Sequence, residues 1–176
     1  MATNLDDENC LRVALEPQLA VAAQRYPQAV TLLTAYDEAH DEADDEQALA
    51  IIEQLRQLTD KPVSEADLFE YYESSSKEAL AWQLSLPPPP VVECLTKAEV
   101  TEIVRRLHEP KPPTQAYDTL AFEEQMSQYY LADYYHQLLK LHFPARYRYQ
   151  YFGRHKGPNG QYYTLSTEQI VAKLLA

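Results

Sequence analysis

The chain of 176 residues reads as mainly α: a multi-helix, bundle-like assembly with one C-terminal β-hairpin, at about residues 146–165, before the last helix. Three observations lead to this. Apolar residues recur every three or four positions along most of the chain, which is the helical period. Its only three glycines, Gly153, Gly157 and Gly160, fall within one eight-residue stretch, so backbone freedom is concentrated at one place. Just before them, ArgTyrArgTyrGlnTyr alternates strictly, and ProAsnGly, which ends the stretch, is a turn signal.

Taken in order, Leu5–Glu16, Pro17–Arg25 and Pro27–Ala39 read as short successive helices, because proline fits the first turn of a helix and breaks its interior. Gln47–Leu58 is amphipathic, with Ala48, Ile51, Ile52, Leu55 and Leu58 on one face. Ser64 and Asp67 form a capping box for a helix whose stripe continues through Leu68, Tyr72, Ser75, Ala79 and Trp82. The four prolines Pro87–Pro90 end it in extended polyproline conformation. Thr96 and Glu99 cap a helix bearing Val100, Ile103, Val104 and Leu107. Tyr117–Phe143 is the longest expected helix, apolar nearly all round in its second half. Strand alternation then places Tyr147, Tyr149 and Tyr151 opposite Arg146, Arg148 and Gln150. Gln161–Leu165 returns, and Ser166 with Gln169 caps the final helix.

Charge divides the chain. Through residue 95 there are 19 acids against 5 bases, and beyond it 8 acids against 10 bases, for a net −12 overall. The expected organisation is an acidic helical half (1–86), a proline-rich connector (87–95) and a helical half with the hairpin (96–176), with one compact domain overall as the alternative. Asp133 and Glu168 bracket a stretch without a single acid that holds Lys140, Arg146, Arg148, Arg154 and Lys156. Such asymmetry argues about partners rather than fold.

Motif chemistry is sparse. No glycine precedes Gly153, which excludes a Gly-x-Ser-x-Gly elbow, a phosphate-binding P-loop and a dinucleotide fingerprint upstream of it. The loop GlyArgHisLysGlyProAsnGly has the glycines to cradle a phosphate through its amides, but it lacks the GlyLys-Ser/Thr ending. Cys10 and Cys94 have no histidine near them in sequence, and two cysteines make no disulfide framework. The expectation is a non-enzyme without cofactor. An acidic N-terminus without an apolar run, and no apolar stretch of spanning length, place it in the cytoplasm and off the membrane.

The expected role is a non-catalytic interaction or adaptor protein with a protein partner. Its basic side would use Arg146, Arg148, Arg154 and Lys156 with Tyr149 and Tyr151 as anchors, since arginine and tyrosine dominate interface energetics. Its acidic side would use Asp41, Asp44 and Asp45. One alternative is nucleic-acid binding by a winged-helix-like basic hairpin, with cations on phosphates and tyrosines on bases. Another is a metal-binding bundle built on two Asp-x-x-His pairs, Asp37/His40 and Asp133/His136, whose spacing puts carboxylate and imidazole on one helix face.

Overall fold

The computed structural model describes residues 11–69, 76–108 and 122–176. Among them are seven helices: α1 Leu19–Asp41, α2 Asp45–Thr59, α3 Glu65–Phe69, α4 Lys77–Ser85, α5 Lys97–His108, α6 Phe122–His142 and α7 Thr167–Leu175. A two-stranded antiparallel hairpin, β1 His155–Lys156 and β2 Tyr162–Tyr163, precedes α7. The mainly α class with a small hairpin before the last helix is therefore what the chain adopts. No helix among the described residues is long and apolar enough to cross a membrane.

The described residues fall into two compact units, of which one comprises 17–69, 76–88 and 122–130 and the other 11–16, 89–108 and 131–176. In the first, α1 packs on α2 and α4. Its core joins Ala29, Leu32, Leu33, Tyr36 and Ala39 of α1 to Ile51, Ile52 and Leu55 of α2, with Val63, Leu68, Leu80, Ala81 and Leu84. The apolar face expected for α2 is the face that is buried.

Helix α1 corrects the expectation of separate helices around Pro27, for it runs unbroken through that residue. Proline removes one backbone bond and costs about 3 kcal/mol in a helix interior. Burial of Ala22 before it and of Ala29, Leu32, Leu33 and Tyr36 after it outweighs that cost. The acidic run is broken as its own repulsion demands: α1 ends at Asp41, Ala43 takes a positive φ of 56°, and the Asp44 side chain accepts from the Gln47 amide at 3.0 Å to cap α2. Asp45 and Glu46 then occupy the first turn, where the helix dipole favours them. At the other end Arg25 donates to the Thr59 carbonyl at 3.3 Å and to Asp60 at 3.2 Å.

Ser64 and Asp67 do form their reciprocal cap. A new helix begins after Ser76, which is extended and accepts from the Ala79 amide. The expected continuous stripe is thus interrupted at Ser76; Tyr72 and Ser75 lie outside the described residues, as do Leu5–Cys10 and the first residues of the helix expected from Tyr117.

In the second unit α5 packs on α7 through Val100, Ile103 and Val104 and through Ile170, Val171 and Leu174, all buried. Both capping boxes expected here are present: Thr96 with Glu99, and Ser166 with Gln169. Of the helix expected over Leu5–Glu16, the described part is a single 3-10 turn at Val13–Leu15. The stretch after the prolines is fastened where His142 Nε2 accepts from the Val92 amide at 3.1 Å, while its Nδ1 faces the Leu138 carbonyl at 2.9 Å.

Candidate functional site

The alternating ArgTyrArgTyrGlnTyr segment is not a strand. After α6, the amides of Arg146 and Tyr147 both bond the Phe143 carbonyl in a tight turn, and Tyr149–Phe152 is a 3-10 turn. The paired arms of the hairpin are shorter and later, with His155 opposite Tyr163 and Lys156 opposite Tyr162. Gly157 and Gly160 close the loop between them, and Gly160 sits at φ +79°, the left-handed conformation that a side chain resists.

The cause of the difference is a histidine one helix away. His136 of α6 gathers three aromatic rings: the Tyr147 hydroxyl lies 2.9 Å from its Nδ1, and the Tyr149 and Phe152 ring centres are 4.7 and 4.8 Å away. Residues three apart share a face in a 3-10 turn, whereas strand alternation sends Tyr149 and Phe152 to opposite sides. Burial holds the His136 imidazole below its ordinary range, with Asp133 partly opposing. Burial, then the neighbouring Tyr149 and Asp133, push the Tyr147 hydroxyl up to about 12.

This arrangement sorts the expected basic face into parts. Arg146 reaches back to the Leu174 carbonyl at 3.5 Å, a cation at the C-terminal end of α7. Tyr151 lies under the ammonium of Lys173, 5.5 Å from its ring centre. Arg148 is exposed and donates to the neighbouring Tyr147 carbonyl. Only Tyr149, Arg154 and Lys156 of the expected set come together. They line a cleft of about 540 Å³ with Gln150, Phe152, Gly153 and His155.

The electrostatics of this cleft are one-sided. Neither Arg154 nor Lys156 makes an ion pair among the described residues. His155 stacks on Tyr163 with ring centres 5.3 Å apart, and its Nε2 is buried without a hydrogen-bond partner. Around it Tyr149, Tyr162 and Tyr163 are 65%, 68% and 49% exposed, unusually open for tyrosines. The glycine amides are all engaged: Gly153 with the Gln150 carbonyl, Gly157 with Gln161 and Gly160 with Gly157. A phosphate cradle built from those amides is therefore ruled out, and any anion here must meet side chains. His155, Phe152, Tyr162 and Tyr163 were absent from the expected site. The Tyr149/Phe152 spacing of three was the local signal for the turn that brings Phe152 to the side of Tyr149.

The other expected residues are engaged elsewhere. Asp37 pairs with Lys77 at 2.7 Å, and His40 stacks parallel to Tyr36. Asp133 is exposed and His136 faces Tyr147. Among the described residues no three or more His, Cys, Asp or Glu side chains are grouped to hold a metal. Asp41, Asp44 and Asp45 are exposed, but Asp44 is occupied as a helix cap.

A second cluster of perturbed groups is internal. Arg106 of α5 donates twice to Glu16, at 2.8 and 2.9 Å, once to Glu102 at 2.8 Å, and also to the Tyr135 hydroxyl. Glu102, 4% exposed, also accepts two bonds from Arg105. Burial works to raise its pKa, but these arginine bonds outweigh it and hold the carboxyl below its ordinary value. Every charge in this group has a partner, so it is a tether for the segment ending at Glu16 rather than a reactive site.

No protein-family model, curated protein or solved structure matches this chain.

Proposed function

We propose that the protein is a non-catalytic interaction protein whose hairpin cleft docks an acidic segment of a protein partner. The observation that carries this is a cleft lined by Arg154 and Lys156, neither in an ion pair, and by the exposed Tyr149, with the exposed Tyr162 and Tyr163 on the facing strand of the hairpin. Uncompensated cations steer an acidic partner into place, and tyrosines supply contact area at low entropic cost. No acid lies between residues 134 and 167, so neither cation has an acidic neighbour along the chain. On the acidic side only Asp41 and Asp45 lack a capping role, so the reading rests on the basic side.

The test is direct binding of a fluorescein-labelled acidic peptide of alternating Glu, Asp and Tyr. Wild type should bind it, and Arg154→Glu/Lys156→Glu should not, with the unfolding midpoint unchanged. An equal affinity for the variant would overturn the reading. Single-stranded nucleic acid is the second reading, favoured by the exposed ring faces, which bases stack on. Oligo(dT) binding more tightly than the peptide, and weakening steeply with salt, would put it first.

A further inference from the structure

We infer that the group received by this cleft is a phosphate monoester carried on a planar ring, in the form of a phosphotyrosyl side chain within the acidic segment. The inference rests on the docking reading above and specifies its ligand. A carboxylate brings one charge, whereas a phosphomonoester brings about −1.5 to −2 at neutral pH together with three acceptor oxygens. Two cations without ion pairs, Arg154 and Lys156, line the cleft, and one phosphomonoester matches both charges where an acidic segment needs two carboxylates placed together. Guanidinium and ammonium around one phosphate form charge-assisted hydrogen bonds, the strong class. His155 also lines the cleft, and its Nε2 is buried without a hydrogen-bond partner, so a turn of the ring toward the cleft would give that nitrogen the partner it lacks.

The remaining walls point to what carries the phosphate. A bare phosphate meets only the cationic part of the cleft lining. Phe152 and Tyr149 line the rest, and Tyr149, held from one side by His136, keeps most of its surface open. An aromatic carrier finds offset or edge-on ring partners there, and aliphatic phosphoserine does not.

The experiment titrates wild-type protein with four probes: an acidic peptide with phosphotyrosine, its unphosphorylated twin, its phosphoserine twin, and a nucleoside monophosphate. The phosphotyrosine peptide should bind at least about tenfold more tightly than the unphosphorylated one, the equivalent of one charge-assisted bond. That gain should vanish in Arg154→Gln/Lys156→Gln, whose circular dichroism and unfolding midpoint should match wild type. Tyr149→Ala should reduce phosphotyrosine binding while leaving the phosphoserine peptide unaffected. Equal binding of the phosphorylated and unphosphorylated peptides overturns the phosphate assignment while docking of an acidic segment stands. Equal binding of the two phosphopeptides overturns the ring, and a nucleoside monophosphate that outcompetes both overturns the peptide. Failure of every peptide to bind removes the docking reading as well.

Discussion

Replacing Arg106 with methionine removes the cation at the centre of the internal tether while keeping its volume. Its three carboxylate bonds, two to Glu16 and one to Glu102, belong to a class worth about 1.5–3 kcal/mol each. Their simple sum overstates the loss. Arg106 and Glu16 are 27% and 35% exposed, so water replaces part of what the Glu16 bonds supply. Glu102 is nearly inaccessible but retains both bonds from Arg105, so its charge is not orphaned. The Tyr135 hydroxyl still donates to Glu16 at 3.0 Å. Loss of about 2–4 kcal/mol follows, below the full range for breaking a wholly buried pair. Urea unfolding followed by circular dichroism measures it; Trp82, the sole tryptophan, reports only its own unit. Glu16→Gln completes a double-mutant cycle whose coupling should reach about 1–3 kcal/mol. A loss under about 1 kcal/mol, or strict additivity with Glu16→Gln, would refute the claim that this network fastens the segment.

Three further outcomes are expected. Glu99 and Glu102 have pKa values held below their ordinary range, so the stability they contribute is present above about pH 4.5 and lost as pH falls through the folded values; acid titration of Glu102→Gln should show a shallower loss than wild type. Burial, aided by Arg25, lowers Lys61 to about 8, so between pH 8 and 10 the unfolded chain holds a proton that the fold has released; stability should rise over that window in wild type and not in Lys61→Met, as chemical denaturation at fixed pH would reveal. Pro27→Ala restores a backbone bond inside α1 and should stabilise by about 1–3 kcal/mol, less the entropy that proline removes from the unfolded chain; a lower thermal midpoint for the variant would count against the account of that helix.

The caps were legible because they are local. Ser64 with Asp67, Thr96 with Glu99 and Ser166 with Gln169 each need only four consecutive residues, and all three formed. The apolar face of α2 was equally plain, since periodicity over fifteen residues averages out local exceptions. Pro27 misled because a local preference of about 3 kcal/mol competes with burial distributed over five turns of helix. The Arg/Tyr alternation misled for a related reason: the partner of Tyr147 and Tyr149 is His136, on the preceding helix, and strand periodicity carries no record of it. Of the nine residues expected to bind a partner, the cleft brings together Tyr149, Arg154 and Lys156. Arg146 and Tyr151 were drawn to α7 by a carbonyl and an ammonium that no reading of their own neighbourhood reveals.

The tether from Glu16 to Arg106 and Tyr135 joins residues 90 and 119 positions apart. During synthesis, Glu16 leaves the ribosome long before either partner exists. At about 5–20 residues per second the interval before Tyr135 is made is roughly 6–24 s. Residues 17–69 and 76–88, which supply most of the other unit, are complete well within that time. The tethered unit is thus discontinuous, with its earliest strand of chain waiting for its latest helices, and loop closure over such a separation is slow. Folding on the ribosome therefore has a set order: α1, α2 and α4 can pack first, α6 then contributes to both units, and the hairpin cleft acquires its supporting scaffold only after α6 and α7 have been released.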